Sequence, residues 1–189
     1  MSPERRPTKR HGVVSQITPE QGRIGGMGIR RWDHERRQLV PVAPPSEKGR
    51  EEWPFYCATF HVCVRWYAEH RSDELFSFLM AMLPGWPLFS SDPGNWPGWV
   101  RLADAVLGEY RRDDPPYRRH QLIAAAYVAE WGSRDEPTYP GVRDLAAAMC
   151  GRDATGQQLE KWWLEAAERC LANPEAMGGT YEIAAPPSG

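Results

Sequence analysis

Apolar residues recur at helical spacing through most of the chain after position 53, and they predict a series of amphipathic helices. The first set falls at i, i+4, i+7, i+8 and i+11, on one helical face, and comprises Tyr56, Phe60, Cys63, Val64 and Tyr67. Because this run is rich in valine, phenylalanine and threonine, a strand over residues 55–64 is the alternative.

A second helix is predicted to follow Ser72 and Asp73, both of which are good N-cap residues. Its apolar stripe would comprise Leu75, Phe76, Leu79, Met80 and Leu83, and Pro84-Gly85 would end it. A third helix is predicted over residues 99–112, with an apolar side made of Trp99, Leu102, Ala103, Val106, Leu107 and Tyr110.

The fourth predicted helix has clear capping or helix-breaking residues at both ends. Asp113 or Asp114 would cap it, Pro115 and Pro116 would occupy its first turn, and Gly132 would end it.

The last two predicted helices form a pair over residues 140–172. The first would start at Pro140-Gly141, bury Val142, Leu145, Ala146 and Met149, and end at Gly151 in a left-handed conformation. Thr155 would cap the second, whose apolar face would comprise Leu159, Trp162 or Trp163, Ala166, Ala167 and Cys170. Small alanines at the centre allow the close crossing of a helix-turn-helix, although the segment "CGRDATG" exceeds the usual turn of three or four residues.

The segment before residue 53 lacks helical periodicity. "GVVSQI", "RIGGMGI" and "RQLVPV" predict two or three short strands, and residues 43–52, "APPSEKGREE", are typical of a linker. We therefore expect a mainly α protein: a basic N-terminal segment with short strands (1–52), a helical bundle (53–174) that ends in the helix-turn-helix-like pair, and a flexible tail (175–189).

Composition is typical of a globular protein rather than a disordered or membrane-spanning one. The chain has 189 residues, 41% of them hydrophobic, and nine tryptophans, as expected of a globular domain. No apolar run approaches the roughly 20 residues of a membrane span, and the N-terminus lacks the apolar core of a secretory signal. We therefore expect no membrane association, a cytoplasmic location and four reduced cysteines.

Charge is distributed unevenly. Residues 1–37 hold nine basic and four acidic residues, whereas the remainder holds fourteen basic and twenty-one acidic residues. Such a basic arm would contact phosphates through Arg5, Arg6, Lys9 and Arg10, or would fold against its own acidic body.

The second helix of the C-terminal pair has the side chains of a DNA-recognition helix. Its first turns present Thr155, Gln157, Gln158 and Lys161, and glutamine pairs with adenine while lysine contacts guanine or phosphate. Arg143 and Arg152 could grip backbone phosphates. The same helix carries Glu160, Glu165 and Glu168, which would repel DNA unless they face away, so packing or protein contact is the alternative.

Four short elements define a broader pattern: Asp114-Pro115-Pro116-Tyr117, Tyr127-Val128, Leu145-Ala146 and Ala167-Glu168. In order and spacing they resemble the C-terminal part of phage late antitermination proteins of the Q type, which are similar to the sigma region 4-like helix-turn-helix. The resemblance covers about 70 residues. It implies a phage protein that binds double-stranded DNA and host RNA polymerase and changes transcription.

Tryptophans indicate a protein partner. Trp162 and Trp163 are neighbours about 100° apart on a helix, so one of them is exposed unless a partner or another part of this chain covers it. Trp86 and Trp96 lie in an aromatic loop over residues 85–99, which would pack on the body or on a partner. With the acidic body, these four residues favour an alternative function, a non-catalytic phage inhibitor of a host complex. A basic rim around Gln157 and Gln158 would favour the regulator, and an acidic rim the inhibitor.

Metal binding and catalysis have weaker support. Cys57, His61 and Cys63 are close together and could bind zinc, with His70 as a distant fourth ligand, but buried thiols are the alternative. The chain lacks the common catalytic motifs, and His120 beside Asp113 or Asp114 has no nucleophile placed near it. We expect no enzymatic activity and no cofactor.

Overall fold

The computed structural model describes residues 30–33, 38–41, 46–85, 89–92, 94–106, 117–134, 139–174 and 183. Within these residues the protein is mainly helical, which confirms the predicted fold class. The helices are α1 (Glu47–Glu69), α2 (Asp73–Met82), α3 (Asn95–Val106), α4 (Arg118–Gly132), α5 (Pro140–Cys150) and α6 (Ala154–Ala172). The short strands are β1 (Arg30–Asp33), β2 (Gln38–Pro41), β3 (Pro84–Gly85) and β4 (Phe89–Ser90). None of the described helices is both long and apolar enough to cross a membrane.

Two antiparallel strand pairs accompany the helices. β1 pairs with β2, with Arg30 opposite Pro41, and β3 pairs with β4. β2 lies within the predicted strand "RQLVPV", whereas β1 follows "RIGGMGI" rather than containing it. "GVVSQI" and the basic residues Arg5, Arg6, Lys9 and Arg10 lie outside the described residues. So does the predicted tail, apart from Ile183, which packs against the core.

Helix α1 begins earlier than predicted. Ser46 caps it by accepting a hydrogen bond from the backbone N–H of Gly49 at 3.0 Å, so residues 47–52 are helical and the linker prediction is wrong there. The proline, serine, glycine and charged residues of this segment are typical of a linker, yet the helix runs through its residues 47–52 and also contains Pro54. The strand alternative for residues 55–64 is also wrong, since this stretch lies inside α1.

Helix α1 is the centre of the bundle and packs against α2, α3, α4 and α6. Every residue from Glu52 to Phe60 is buried, because neighbouring helices cover α1 on all sides there. The Tyr56 hydroxyl donates a hydrogen bond to the carbonyl of Met82 at 2.6 Å and ties α1 to the end of α2.

The buried face of α2 differs from the predicted stripe. Ser72 caps the helix as expected, through a 3.2 Å hydrogen bond from the Leu75 N–H. Phe78 and Met82 are fully buried, whereas Met80 is 40% exposed. The helix is thus rotated relative to the prediction, and its core side consists of Leu75, Phe78, Leu79 and Met82.

Helices α3 and α4 also begin at positions other than those predicted. α3 starts at Asn95 rather than Trp99, which places Trp96 in its first turn. α4 starts at Arg118 after Tyr117, whose φ of 72° is left-handed and gives the chain a non-helical entry. The residues predicted to form its cap and first turn, Asp113 or Asp114 and Pro115-Pro116, lie outside the described part. α4 does end at Gly132.

Candidate nucleic-acid interface

Helices α5 and α6 are joined by a turn of three residues, Gly151 to Asp153. The longer turn expected from "CGRDATG" is wrong, because α6 starts at Ala154 and includes Thr155 and Gly156. The observed length is that of a DNA-binding helix-turn-helix.

The turn is held by contacts other than those predicted. Asp153, not Thr155, caps α6, and its carboxylate accepts a hydrogen bond from the Gly156 N–H at 2.9 Å. Gly151 has φ −67° and ψ 153°, which is extended rather than left-handed. The turn requires a glycine at position 156, because a Cβ there would lie 2.6 Å from the carbonyl carbon of Gly151. Thr155 is thereby free of a capping role and is exposed.

The α5–α6 turn and the first two turns of α6 form an exposed polar surface at the end of the bundle. Its exposed members from the predicted DNA-binding set are Arg152, Thr155, Gln157, Gln158 and Lys161. Gly156 and Leu159 are buried between them and anchor the helix. The structure therefore brings these five predicted residues together in the turn and at the start of α6.

Gln157 and Gln158 face different grooves. Gln157 lines a cavity between α4, α5 and α6, and its Nε2 donates to the carbonyl of Arg152 at 3.3 Å. Gln158 lines an open groove between the end of α1 and the start of α6, together with Trp66, Glu69 and His70. Successive residues on a helix point about 100° apart. The exposed start of α6 therefore has the Gln157 amide on the side of the cavity and the Gln158 amide on the side of the groove.

The charge around the two glutamines differs between the sides. Arg118, Arg152 and Glu160 line the cavity on the Gln157 side, and Arg118 Nη1 lies 3.9 Å from Glu160 Oε1. On the Gln158 side, Glu69 is the acidic residue of the groove. The rim is therefore basic near Gln157 and acidic near Gln158. Of the other two acids on α6, Glu165 forms an ion pair with Arg65 at 3.1 Å, and Glu168 is exposed.

The Arg143 side chain makes a hydrogen bond to a neighbouring helix. It lies on α5, and its Nε donates a hydrogen bond to the carbonyl of Gly132 at the end of α4, at 3.2 Å. A Cβ at Gly132 would lie 2.8 Å from the Arg143 Cα, so the two helices approach closely here. Arg143 therefore joins α4 to α5 rather than sharing the exposed tip of α6.

The chain itself covers both members of the Trp162-Trp163 pair. Trp162 is 8% exposed and lies under the Arg65 guanidinium, 4.3 Å from the ring centroid. Trp163 is 2% exposed, and its Nε1 donates to the Thr59 hydroxyl at 3.3 Å. Because α1 packs along α6, residues of α1 cover both tryptophans, so the expectation that they form a protein-binding surface is wrong.

The described part of the aromatic loop is also covered by this chain. Trp96 is half-buried, with its ring centroid 5.2 Å from that of Trp53 and 5.4 Å from that of Tyr56, both edge-on. It packs on the body, while Trp86 lies outside the described residues. The described tryptophans thus do not provide the exposed aromatic surface on which the inhibitor alternative depended.

A buried charged cluster that the sequence did not predict joins α1 to α4. Glu52, whose side chain is 4% exposed, forms an ion pair with Arg119 at 2.6 Å and lies 3.7 Å from His120 Nε2. Burial alone would raise the pKa of Glu52, but the nearby His120 and Arg119 side chains outweigh it and hold that pKa below its usual value. His120 also stacks on Phe55 with ring centroids 3.5 Å apart. Its acidic neighbour is therefore Glu52, and the cluster holds two helices together.

The cysteines and histidine considered for zinc lie on α1. Cys57 and Cys63 are buried, and burial raises the pKa of both thiols. Burial and the charge of Arg169 lower the pKa of His61 to about 4. Across the described ranges, no group of three or more His, Cys, Asp or Glu residues is arranged to hold a metal ion.

Sequence and structure comparisons give no relative for this chain: no protein-family model, curated protein or solved structure matches it significantly.

Proposed function

We propose that α5 and α6 form a DNA-binding helix-turn-helix and that the protein is a non-catalytic transcription regulator. The observation that carries this proposal is the three-residue turn followed by two exposed polar turns of α6. In its finer form, the proposal is a phage-type regulator that resembles antitermination proteins and acts with host RNA polymerase. That part is supported by the resemblance in residues 111–171.

The dimensions of the exposed tip suit the major groove. Residues 154–161 span about 12 Å of helix at 1.5 Å per residue, close to the groove's width of about 12 Å. Gln157 and Gln158 would contact base edges, where glutamine pairs with adenine through two hydrogen bonds. Arg152 and Lys161 would contact phosphates on either side.

The charges on the Gln157 side and at Lys161 support the same orientation, whereas Glu69 makes the Gln158 side acidic. Arg152 and Lys161 make no ion pair within the described part of the chain, so their charges are available for phosphates. Asp153 is engaged in capping, and Glu160 is weakly paired with Arg118 at 3.9 Å. Glu165 points toward α1, where Arg65 neutralises it.

Fluorescence anisotropy with a labelled random duplex tests DNA binding, at about 50 and 200 mM salt, where counterion release changes affinity steeply. Wild type should bind and weaken strongly at the higher salt, and Gln157→Ala/Gln158→Ala should bind less tightly. Ser77→Ala, an exposed substitution on α2, is the control and should bind as wild type does. No binding by wild type at 50 mM salt would refute the proposal.

The polymerase partner is tested separately, with purified bacterial RNA polymerase holoenzyme and a template that carries a promoter-proximal terminator. The proposal predicts increased readthrough of the terminator when the protein is present. DNA binding without any change in readthrough would retain the helix-turn-helix and reject the antitermination role.

A further inference from the structure

A cavity of about 440 Å³ lies between α4, α5 and α6, beside the proposed DNA-binding surface. This volume is within the range of about 300–1,000 Å³ that is typical of small-molecule sites. Both helices of the pair and the first half of α4 line it, so the cavity belongs to the folded bundle rather than to a loop.

The lining combines basic and apolar side chains. Arg118 on α4 and Arg152 in the turn supply two guanidinium groups. The apolar lining, called the floor, consists of aliphatic, thioether and indole groups, from Leu122, Ala125, Met149, Leu159 and Trp163, and of these Leu122 is 38% exposed. Guanidinium groups bind carboxylates, sulfonates and phosphates through charge-assisted hydrogen bonds, whereas this floor would contact a flat apolar body.

We infer that this cavity binds a small organic anion that has an aromatic or other apolar body and one anionic group, held between Arg118 and Arg152. A DNA phosphate would use the two guanidinium groups but leave the apolar floor in water. The complete lining therefore fits a free amphipathic ligand better than the DNA backbone.

Glu160 sets the affinity of the site. Its carboxylate lies 3.9 Å from Arg118 and lines the same cavity, so it competes with a bound anion for that guanidinium. Both side chains of this pair are about half exposed, and such pairs are weak, so an incoming anion replaces Glu160 at little cost.

The site would also regulate DNA binding, a consequence that rests on the proposed function. Gln157 and Arg152 line the cavity and belong to the surface proposed to contact DNA. A ligand that holds Arg152 and covers Gln157 would compete with DNA for both side chains.

Two fluorescent probes with nearly the same aromatic body test the site in the absence of DNA. 1-Anilinonaphthalene-8-sulfonate carries an anionic group, and N-phenyl-1-naphthylamine lacks it. We expect saturable binding of the sulfonate at one site per chain. Arg118→Gln/Arg152→Gln should raise its Kd about tenfold, as expected for the loss of charge-assisted hydrogen bonds, and leave the Kd of the neutral probe unchanged.

Two further variants test which charges affect binding of the sulfonate. Glu160→Gln should lower the Kd of the sulfonate, because it removes the competing carboxylate. Arg101→Gln is the control for the loss of a distant positive charge and should have no effect, since Arg101 on α3 pairs with Glu130 at 2.7 Å, and Glu130 lies about 18 Å along α4 from Arg118. A sulfonate Kd that is the same in wild type and in the double arginine variant would overturn the inference, as would the absence of saturable binding.

Cys150 locates the bound probe. It lines the cavity and is exposed, whereas Cys57, Cys63 and Cys170 are buried, so a thiol reagent should react with Cys150 first. Sulfonate probe at a concentration near its wild-type Kd should slow that reaction in wild type and much less in Arg118→Gln/Arg152→Gln. An unchanged rate in wild type would place the probe elsewhere and reject the site, whatever the outcome of the DNA experiments.

Discussion

Gly156 and Gly151 lie so close together that a Cβ on Gly156 would be 2.6 Å from the carbonyl carbon of Gly151 and closer still to its oxygen. This contact brings the start of α6 against the end of α5 and permits a turn of only three residues. The obstructing atoms are backbone, so they cannot move aside as a flexible side chain would.

Gly156→Ala is therefore expected to destabilise the fold by about 1–3 kcal/mol or more, as overpacking does. Urea unfolding followed by circular dichroism measures the change. Gly98→Ala on α3 is the matched control, because its Cβ would meet only the Tyr127 ring at 4.0 Å. It should be neutral or stabilising, since alanine favours a helix over glycine by about 1 kcal/mol. Equal effects of the two substitutions would show that the α5–α6 contact is not the cause.

Removing the charge of Glu52 should destabilise the protein in a pH-dependent way. Glu52→Gln leaves Arg119 without its carboxylate partner, and a loss of about 1–3 kcal/mol at pH 7 is expected. Because the pKa of Glu52 is lowered in the fold, its contribution is present above the ordinary value of 4.5 and is lost as pH falls through the folded pKa.

The free energies of unfolding of wild type and Glu52→Gln should thus converge as the pH falls below 4.5. Glu51→Gln, at the exposed neighbouring position, is the control and should stay close to wild type throughout. A difference between wild type and Glu52→Gln that is constant with pH would contradict the ionic role of Glu52.

His61 should cause a second loss of stability at a higher pH. Burial lowers its pKa to about 4, from an ordinary value of 6.5, so the folded state keeps the ring neutral while the unfolded chain takes up a proton. Stability should therefore fall as pH drops from 6.5 to 4, by about 1–3 kcal/mol. Urea unfolding of His61→Gln should show most of this slope removed, and an unchanged slope would assign it to other groups.

Sequence patterns predicted those features that depend on nearby residues. The Ser72 cap, the end of α4 at Gly132 and most of the buried faces of α5 and α6 follow from periodicity and local capping chemistry, although Met149 is only half-buried. Asp153 and Thr155 are both good cap residues, so the choice between them depended on where the Gly156 N–H points in the folded turn. Similarly, nothing in the local sequence indicated the left-handed conformation of Tyr117.

Features that depend on tertiary neighbours were missed for a different reason. Glu52 and Arg119 are 67 residues apart, and their pairing depends on how α1 and α4 pack. The cover over Trp162 comes from Arg65, and that over Trp163 from Phe55 and Thr59, all on α1. The cavity near Gln157 likewise requires α4 to lie beside the turn, which no periodicity in α5 or α6 could indicate.

The four cysteines should differ sharply in reactivity. Burial raises the pKa of the Cys57 and Cys63 thiols, and it raises the pKa of Cys170 to about 12 even though the charge of Arg169 opposes it. Because the thiolate is the reactive form, one fast thiol per chain is expected with a disulfide reagent under native conditions, and four after denaturation. Cys150→Ser should abolish the fast phase. A remaining fast thiol in that variant would mean that one of the buried sites opens readily.

Salt dependence provides a quantitative test of which charges contact DNA. Each phosphate contact contributes about one unit to the slope of log affinity against log salt concentration, so Arg152→Ala and Lys161→Ala should each reduce that slope by about one. Arg101→Ala should leave it unchanged, because this charge is already paired with Glu130. Glu160→Gln should increase affinity, since it removes a negative charge from the tip of α6. Anisotropy titrations at four or more salt concentrations measure this slope for all four variants. A slope that falls equally for Arg101→Ala and Arg152→Ala would show that DNA affinity depends on the net charge of the protein rather than on this surface.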